Sequence, residues 1–214
     1  VIDRAATALD FPSPSDGPSP VPLVAVWRAI FRILANLGPR RCELFLMPTR
    51  VDWLGENWPA VYTETEHPAE EIRTHSPFGW LILRTPKTDR HKDYEPLILP
   101  LNRVTRDAFD TLLEFGPNRS RMLPISRTPT QWRKVARRIQ RAAGIARPFT
   151  FQDFRHDTNS RIRAINADAA RYISGHAGRS GDVNTTYYTE ASPQAVDAVN
   201  RLEQPAAYAR SLRQ

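Results

Sequence analysis

A single cysteine, Cys42, is present among the 214 residues of this chain. That excludes an intrachain disulfide framework and suits a reducing compartment such as the cytoplasm. Cys42 lies in an apolar run, where burial is a commoner fate than reactivity. No apolar stretch approaches the roughly 20 residues of a membrane span. The opening residues VIDRAATALD carry no signal-peptide pattern. Acid is the minority charge, with 23 Asp and Glu against 30 Lys and Arg and a formal net charge of +7. Such a balance favours a polyanionic partner, nucleic acid being the commonest. On net charge alone, an ordinary basic soluble protein is an equal reading.

Proline is plentiful, and it is unevenly placed. Residues 11–22 read FPSPSDGPSPVP, a composition too poor in apolar surface to order itself. Residues 1–22 are therefore expected to be a disordered or linker segment. What precedes the proline-rich stretch is too short for a domain, so a missing N-terminal module is expected ahead of it. A folded domain is expected over 23–203, followed by a tail over 204–214. Fraying is one expectation for such a tail.

Within the domain, Leu23, Trp27, Ile30, Phe31, Leu34 and Leu37 recur at helical spacing, and Gly38-Pro39 stops that helix. A second helix is expected from Arg40 to about Met47. Residues 51–78 are punctuated by Pro59, Pro68 and Pro77 and carry Glu64, Glu66, Glu70 and Glu71. They read as an irregular, acidic surface insertion. Trp80 to Leu83 and Leu97 to Leu101 are strand-like runs joined by a polar segment, which predicts an antiparallel hairpin with a long tip. Helical patterning resumes at Arg103. The stretch Thr130 to Ala143 predicts an amphipathic helix, with Trp132, Val135, Ala136, Ile139 and Ala143 on one face. Arg133, Lys134, Arg137, Arg138 and Arg141 fill the rest. In an average protein such a face is merely solvated. Here few acids interleave, which points to phosphate contact. Helices are also predicted over Phe151 to Ile165, Asp168 to Ser174 and Pro193 to Leu202. The expected fold class is mainly α with a small antiparallel β-sheet (α+β).

Four separated segments carry chemistry. They are LGPRRCELF (37–45), RTPKTDRHKDYEPLILPL (84–101), FTFQDFRHD (149–157) and YISGHAGRSGDVNTTYYTE (172–190). Breaking a DNA strand by transesterification needs a nucleophile at phosphorus, neutralisation of the phosphate oxygens and a proton for the departing oxygen. Arginine suits the second task, because its planar fork pairs with two oxygens and keeps its proton. Lysine suits the third. A tyrosine phenol suits the first, since it can hold the phosphate covalently. A lone basic helix start, loop lysine, Gly-His pair or tyrosine pair has an ordinary structural explanation; all four together, in order, are harder to obtain by chance.

In that order the segments resemble the catalytic domain of the tyrosine recombinases, the phage-integrase family, over most of 23–202. The resemblance implies a site-specific DNA recombinase or integrase working through a 3′-phosphotyrosine. It assigns Arg40 as the first clamp arginine, with Glu43 as supporting acid and Arg41 as fallback. Lys87 becomes the proton donor, with Lys92 as runner-up. Arg155 becomes the second clamp arginine, followed by His156. His176 becomes a phosphate hydrogen-bond donor, and Tyr188 the nucleophile, with Tyr187 as alternative. Gln152 stands where the family usually has histidine. Glutamine can hydrogen-bond a phosphate but cannot act as a base near neutral pH. A catalytically weakened DNA-binding relative is therefore the second expectation. The implied partners are double-stranded DNA and sister protomers assembled on it, with packing of the 204–214 tail on a neighbouring protomer as the alternative to fraying, and with no membrane, no cofactor and no metal. The implied location is cytoplasmic, on DNA.

Overall fold

The computed structural model describes residues 23–51, 58–69, 72–83, 96–115, 120–123, 129–175 and 184–202. The expected linker over 1–22 and the expected tail lie outside them. The described residues are mainly helical with a small antiparallel sheet.

Helix α1 (Leu23–Leu37) runs over the span its periodicity predicts. Val26, Trp27, Ile30, Phe31, Ile33, Leu34 and Leu37 are all buried, so this helix is the spine of the core. It ends at Gly38 in a left-handed conformation, φ +54. A side chain at Gly38 would meet the Arg155 Cα at 3.1 Å, so the residue also permits a close backbone approach. Helix α2 (Arg41–Phe45) is shorter than the predicted Arg40 to Met47. Pro48 accounts for this, because the residue before a proline is pushed away from helical backbone.

Three short strands follow: β1 (Arg50–Val51), β2 (Trp58–Pro59) and β3 (Val61–Tyr62). Strands β4 (Trp80–Leu83) and β5 (Leu97–Pro100) form the expected antiparallel pair. Their register sets Trp80 against Pro100 and Leu83 against Leu97. Strand β4 is central, with β3 on its other edge, and every residue of β4 and β5 is buried. The expectation for 51–78 is thereby corrected. This stretch is not merely a surface insertion. It supplies an edge strand, and Val61, His67, Thr74 and Ser76 are buried. A long-range hydrogen bond from the Trp80 ring to the Thr65 carbonyl (3.2 Å) draws it inward, a link that periodicity does not reveal.

Helix α3 (Arg103–Glu114) is capped by Asn102, whose side-chain oxygen accepts the Thr105 N–H at 3.0 Å. The amide of Asn102 also donates to Asn36 Oδ1 (2.9 Å) and to the Val199 carbonyl (3.2 Å), so one buried cap holds three helices together. Helices α4 (Pro129–Ala142), α5 (Phe151–Ile165) and α6 (Ala167–Ser174) follow the predicted spans within about a residue at each end, the usual scatter at helix ends. Trp132 on α4 stacks on Phe45 at 4.9 Å and meets Trp27 edge-on at 5.2 Å, which fixes α4 against α1 and α2.

Helix α7 (Asn184–Asn200) corrects the predicted Pro193 to Leu202. A proline is most at home in a first helical turn. Here Pro193 lies inside the helix on its exposed side. Buried Ala191, Ser192, Ala195, Ala198 and Val199 supply a packed face, and α7 packs on α6. Tertiary packing overrides the local preference.

His67 is a buried weak point. Its Nδ1 accepts the Ala69 N–H at 3.0 Å, and its ring meets Trp80 edge-on at 4.7 Å. Burial pushes its pKa down to about 4, opposed in lesser measure by the Ala69 hydrogen bond. The folded state thus refuses a proton that the unfolded chain takes up below about pH 6.5. Stability is complete above that pH and is lost as pH falls towards 4, by about 2–3 kcal/mol in all. Urea titrations at pH 7 and pH 4.5 measure this, and His67→Phe should flatten the difference. An equal pH slope in that variant would rule His67 out as its source.

Candidate anion-binding site

Two guanidinium groups distant in sequence meet on one carboxylate. Glu43, 2% exposed, lies in the first turn of α2. It accepts the Arg40 backbone N–H, one arm of a capping box. Glu43 Oε1 also accepts from Arg40 Nη1 at 2.7 Å. Its other oxygen lies 3.9 Å from Arg155 Nη1. The trio carries two positive charges and one negative, so a net positive charge faces outward.

Arg155 is more deeply set than Arg40, with side chains 12% and 29% exposed. Its Nη1 donates to the Gly38 carbonyl (3.0 Å), and its Nη2 donates to the Ser174 carbonyl (2.7 Å). It therefore braces the end of α1 and the end of α6 from its place on α5. Burial, and next the charge of Arg40, hold its proton affinity below the ordinary arginine range, while Glu43 opposes them. An arginine keeps its proton regardless. A negative charge beside Arg155 would oppose the Arg40 part of that shift, as Glu43 does.

Beside the trio opens a cavity of about 380 Å³. Arg40, Arg41, Arg133 and Arg137 line it, together with Cys42, Phe149 and Gln152, and among the described residues no carboxylate does. Arg133 and Arg137 come from α4. All five basic residues of that helix (Arg133, Lys134, Arg137, Arg138 and Arg141) are exposed, while Trp132, Ala136 and Ile139 are buried. Only two of the five reach the cavity; the other three extend the positive surface beyond it.

The start of α5 borders the same cavity. Thr150 caps the helix by accepting the Asp153 N–H at 3.1 Å, and Asp153 returns the bond to the Thr150 N–H at 2.7 Å. Hydrogen bonds to the Asp153 carboxyl from the Thr150 backbone N–H, and next from the Thr150 side chain, hold it below the usual range. Gln152 and His156 are both exposed, one turn apart, with the amide nitrogen 3.0 Å from His156 Nε2. An amide nitrogen only donates, so in this pairing the ring nitrogen accepts.

The structure thus brings together Arg40, Arg155, Gln152, His156, Arg133 and Arg137. Lys87 and Lys92 lie outside the described residues, as does His176. Tyr187 and Tyr188 fall on the backbone of α7, near its start. Phe149, 53% exposed at the cavity, and the buried Gln140 that holds it were not flagged from the sequence. Exposure of a single apolar residue leaves no periodic signal, and Gln140 sits within a helix whose pattern marks only its apolar face. Among the described residues, no helix is long and apolar enough to cross a membrane. Comparison of the chain with family models, with curated proteins and with solved structures gives no match to any of the three.

Proposed function

We propose that this chain is the catalytic domain of a site-specific DNA recombinase of the tyrosine-recombinase type. The carrying observation is the convergence of Arg40 and Arg155 on buried Glu43 at the edge of an arginine-lined cavity. That arrangement suits a phosphodiester, whose non-bridging oxygens take bidentate guanidinium contacts. The four ordered segments supply the rest of the reading.

In the proposed reaction the Tyr188 phenolic oxygen attacks phosphorus, and the bond from phosphorus to the 5′ oxygen breaks. The products are a 3′-phosphotyrosine and a free 5′ hydroxyl. Lys87 gives the departing oxygen its proton. Arg40, Arg155 and His176 hold the phosphate oxygens, and Gln152 adds a neutral hydrogen bond. The phenolic proton passes to His156 or water, since Gln152 cannot accept it at neutral pH. Strand rejoining is the reverse, with another DNA hydroxyl as nucleophile. The exposed basic face of α4 grips the duplex backbone, and sister protomers assemble on the DNA.

A suicide duplex nicked beside the cleavage site tests this reading. A covalent protein–DNA adduct is expected, and Tyr188→Phe should abolish it. An adduct that persists in Tyr188→Phe moves the nucleophile to Tyr187 or elsewhere. Gln152→His should raise the adduct rate by about 10²-fold, the low end of a positioned general base; no gain would mean that Gln152 does not occupy a base position. Gln152 is also the one observation that favours the second reading, a DNA-binding relative with weakened catalysis. Salt-sensitive duplex binding with no adduct under any condition would select it.

A further inference from the structure

The arginine cavity has a feature that gripping a phosphate does not require. Phe149 is one of two large apolar residues left exposed among the described residues, at 53%. It lines the cavity alongside the arginines. Its backbone is clamped on both sides by one buried amide: Gln140 Nε2 donates to the Phe149 carbonyl (3.0 Å), and Gln140 Oε1 accepts the Phe149 N–H (2.7 Å). Gln140 is 0% exposed. The Phe149 ring also lies 5.8 Å from Phe154, a second support from α5. With its backbone held on both sides, Phe149 is pre-organised for contact, because little backbone freedom remains to be lost on binding.

We propose that this cavity is a nucleotide subsite, in which Arg41, Arg133 and Arg137 hold a phosphate and a nucleobase stacks on Phe149. The chemistry of the lining selects this class. Several arginines without a carboxylate call for an anion, and an arginine fork matches phosphate oxygens. A bare inorganic anion leaves Phe149 unused, whereas a nucleotide joins an anion to a flat π-face. A cavity of about 380 Å³ falls in the range of small-ligand sites and is ample for one nucleotide. A base stacked within an undistorted duplex presents its edge, not its face, to a side chain. The ligand is therefore either a free mononucleotide or an unpaired position in a strand. The subsite shares Arg40 and Gln152 with the proposed cleavage centre but does not use Tyr188.

The chain carries its own reporter. Cys42 is its single cysteine and lines the same cavity, half-buried. The rate of Cys42 alkylation by iodoacetamide is measured with orthophosphate, AMP, a short thymidine oligonucleotide or a fully paired duplex. AMP or the single strand should slow alkylation at a concentration at which orthophosphate does not. Protection by AMP assigns a free nucleotide; protection by the oligonucleotide alone assigns an unpaired strand. Phe149→Ala, at an exposed position, should weaken that protection by about tenfold, and Arg133→Gln with Arg137→Gln should weaken it further. Equal protection by orthophosphate and nucleotide, protection by paired duplex alone, or an unchanged Phe149→Ala would each overturn the subsite. Tyr188→Phe should leave protection intact. If no wild-type adduct forms while protection persists, the cleavage reading falls and the subsite stands.

Discussion

Glu43→Ala should destabilise the domain by about 3–5 kcal/mol, the usual cost of removing one partner from a buried ion pair. For a domain of this size that corresponds to a fall in Tm of roughly 10 °C. The expectation follows from what the carboxylate separates. Arg40 and Arg155 are close enough for the charge of the first to depress the proton affinity of the second. With Glu43 gone, two guanidinium charges face each other, one of them largely withdrawn from water. The Arg40 N–H also loses its capping partner at the start of α2. Thermal unfolding followed by circular dichroism measures the loss. Glu43→Gln keeps the shape and the cap acceptor while removing the charge, so it should recover part of the stability and leave the arginines mutually repelling. High phosphate or sulfate should restore more Tm to Glu43→Ala than to wild type, because an added anion replaces the missing negative charge. A loss below about 1 kcal/mol, in the range of an exposed pair, would mean that the carboxylate does not hold the arginines together.

Much of this arrangement is legible in the sequence because its parts are local. Helix α1 declares itself through six apolar residues at helical spacing, and Gly38 ends it where expected. The basic face of α4 and its buried Trp132 are both written in one short window. Arg155 and Glu43 are visible as motif residues. The meeting of Arg155 with Glu43 is not, since a contact between α2 and α5 depends on how α1 and α5 pack. The Thr158 hydroxyl, which donates to the Leu34 carbonyl at 3.0 Å, is one of the contacts that fix this packing, and nothing near either residue announces it. The stretch 51–78 misleads for a related reason. Prolines and acids break every period there, yet an edge strand two residues long needs only one buried Val61 and a neighbour to pair with. Phe149 is the extreme case. Its exposure is set by Gln140 and by the turn after α4, and an apolar letter in the sequence reads by default as core.

Arg155→Met should lower stability and, on the proposed function, adduct formation, and the two losses separate a structural role from a phosphate-binding one. A guanidinium has five N–H donors. Two of them are committed here, to the carbonyls of Gly38 and Ser174. Those bonds stitch the end of α1 to the end of α6, and Ser174 lies two residues before His176 in the sequence. Methionine fills similar volume but leaves two partly buried carbonyls without their donor and leaves Glu43 paired to Arg40 alone. A loss of about 3–5 kcal/mol is expected from breaking such a charged, buried network. The remaining donors are the ones available to a phosphate. Deleting them should slow adduct formation by about 10²–10³-fold, the effect of losing one preorganised donor at a developing oxyanion. The rate is to be measured under single turnover, at a temperature where circular dichroism finds the variant folded. Arg155→Lys restores charge but not the fork; one ammonium cannot reach both carbonyls in the plane of the original group while also facing an anion. It should regain stability more readily than rate. A folded Arg155→Met that forms adduct at the wild-type rate would reduce Arg155 to a brace between α1 and α6, and the phosphate clamp would then have to be built from Arg40 and the arginines of α4.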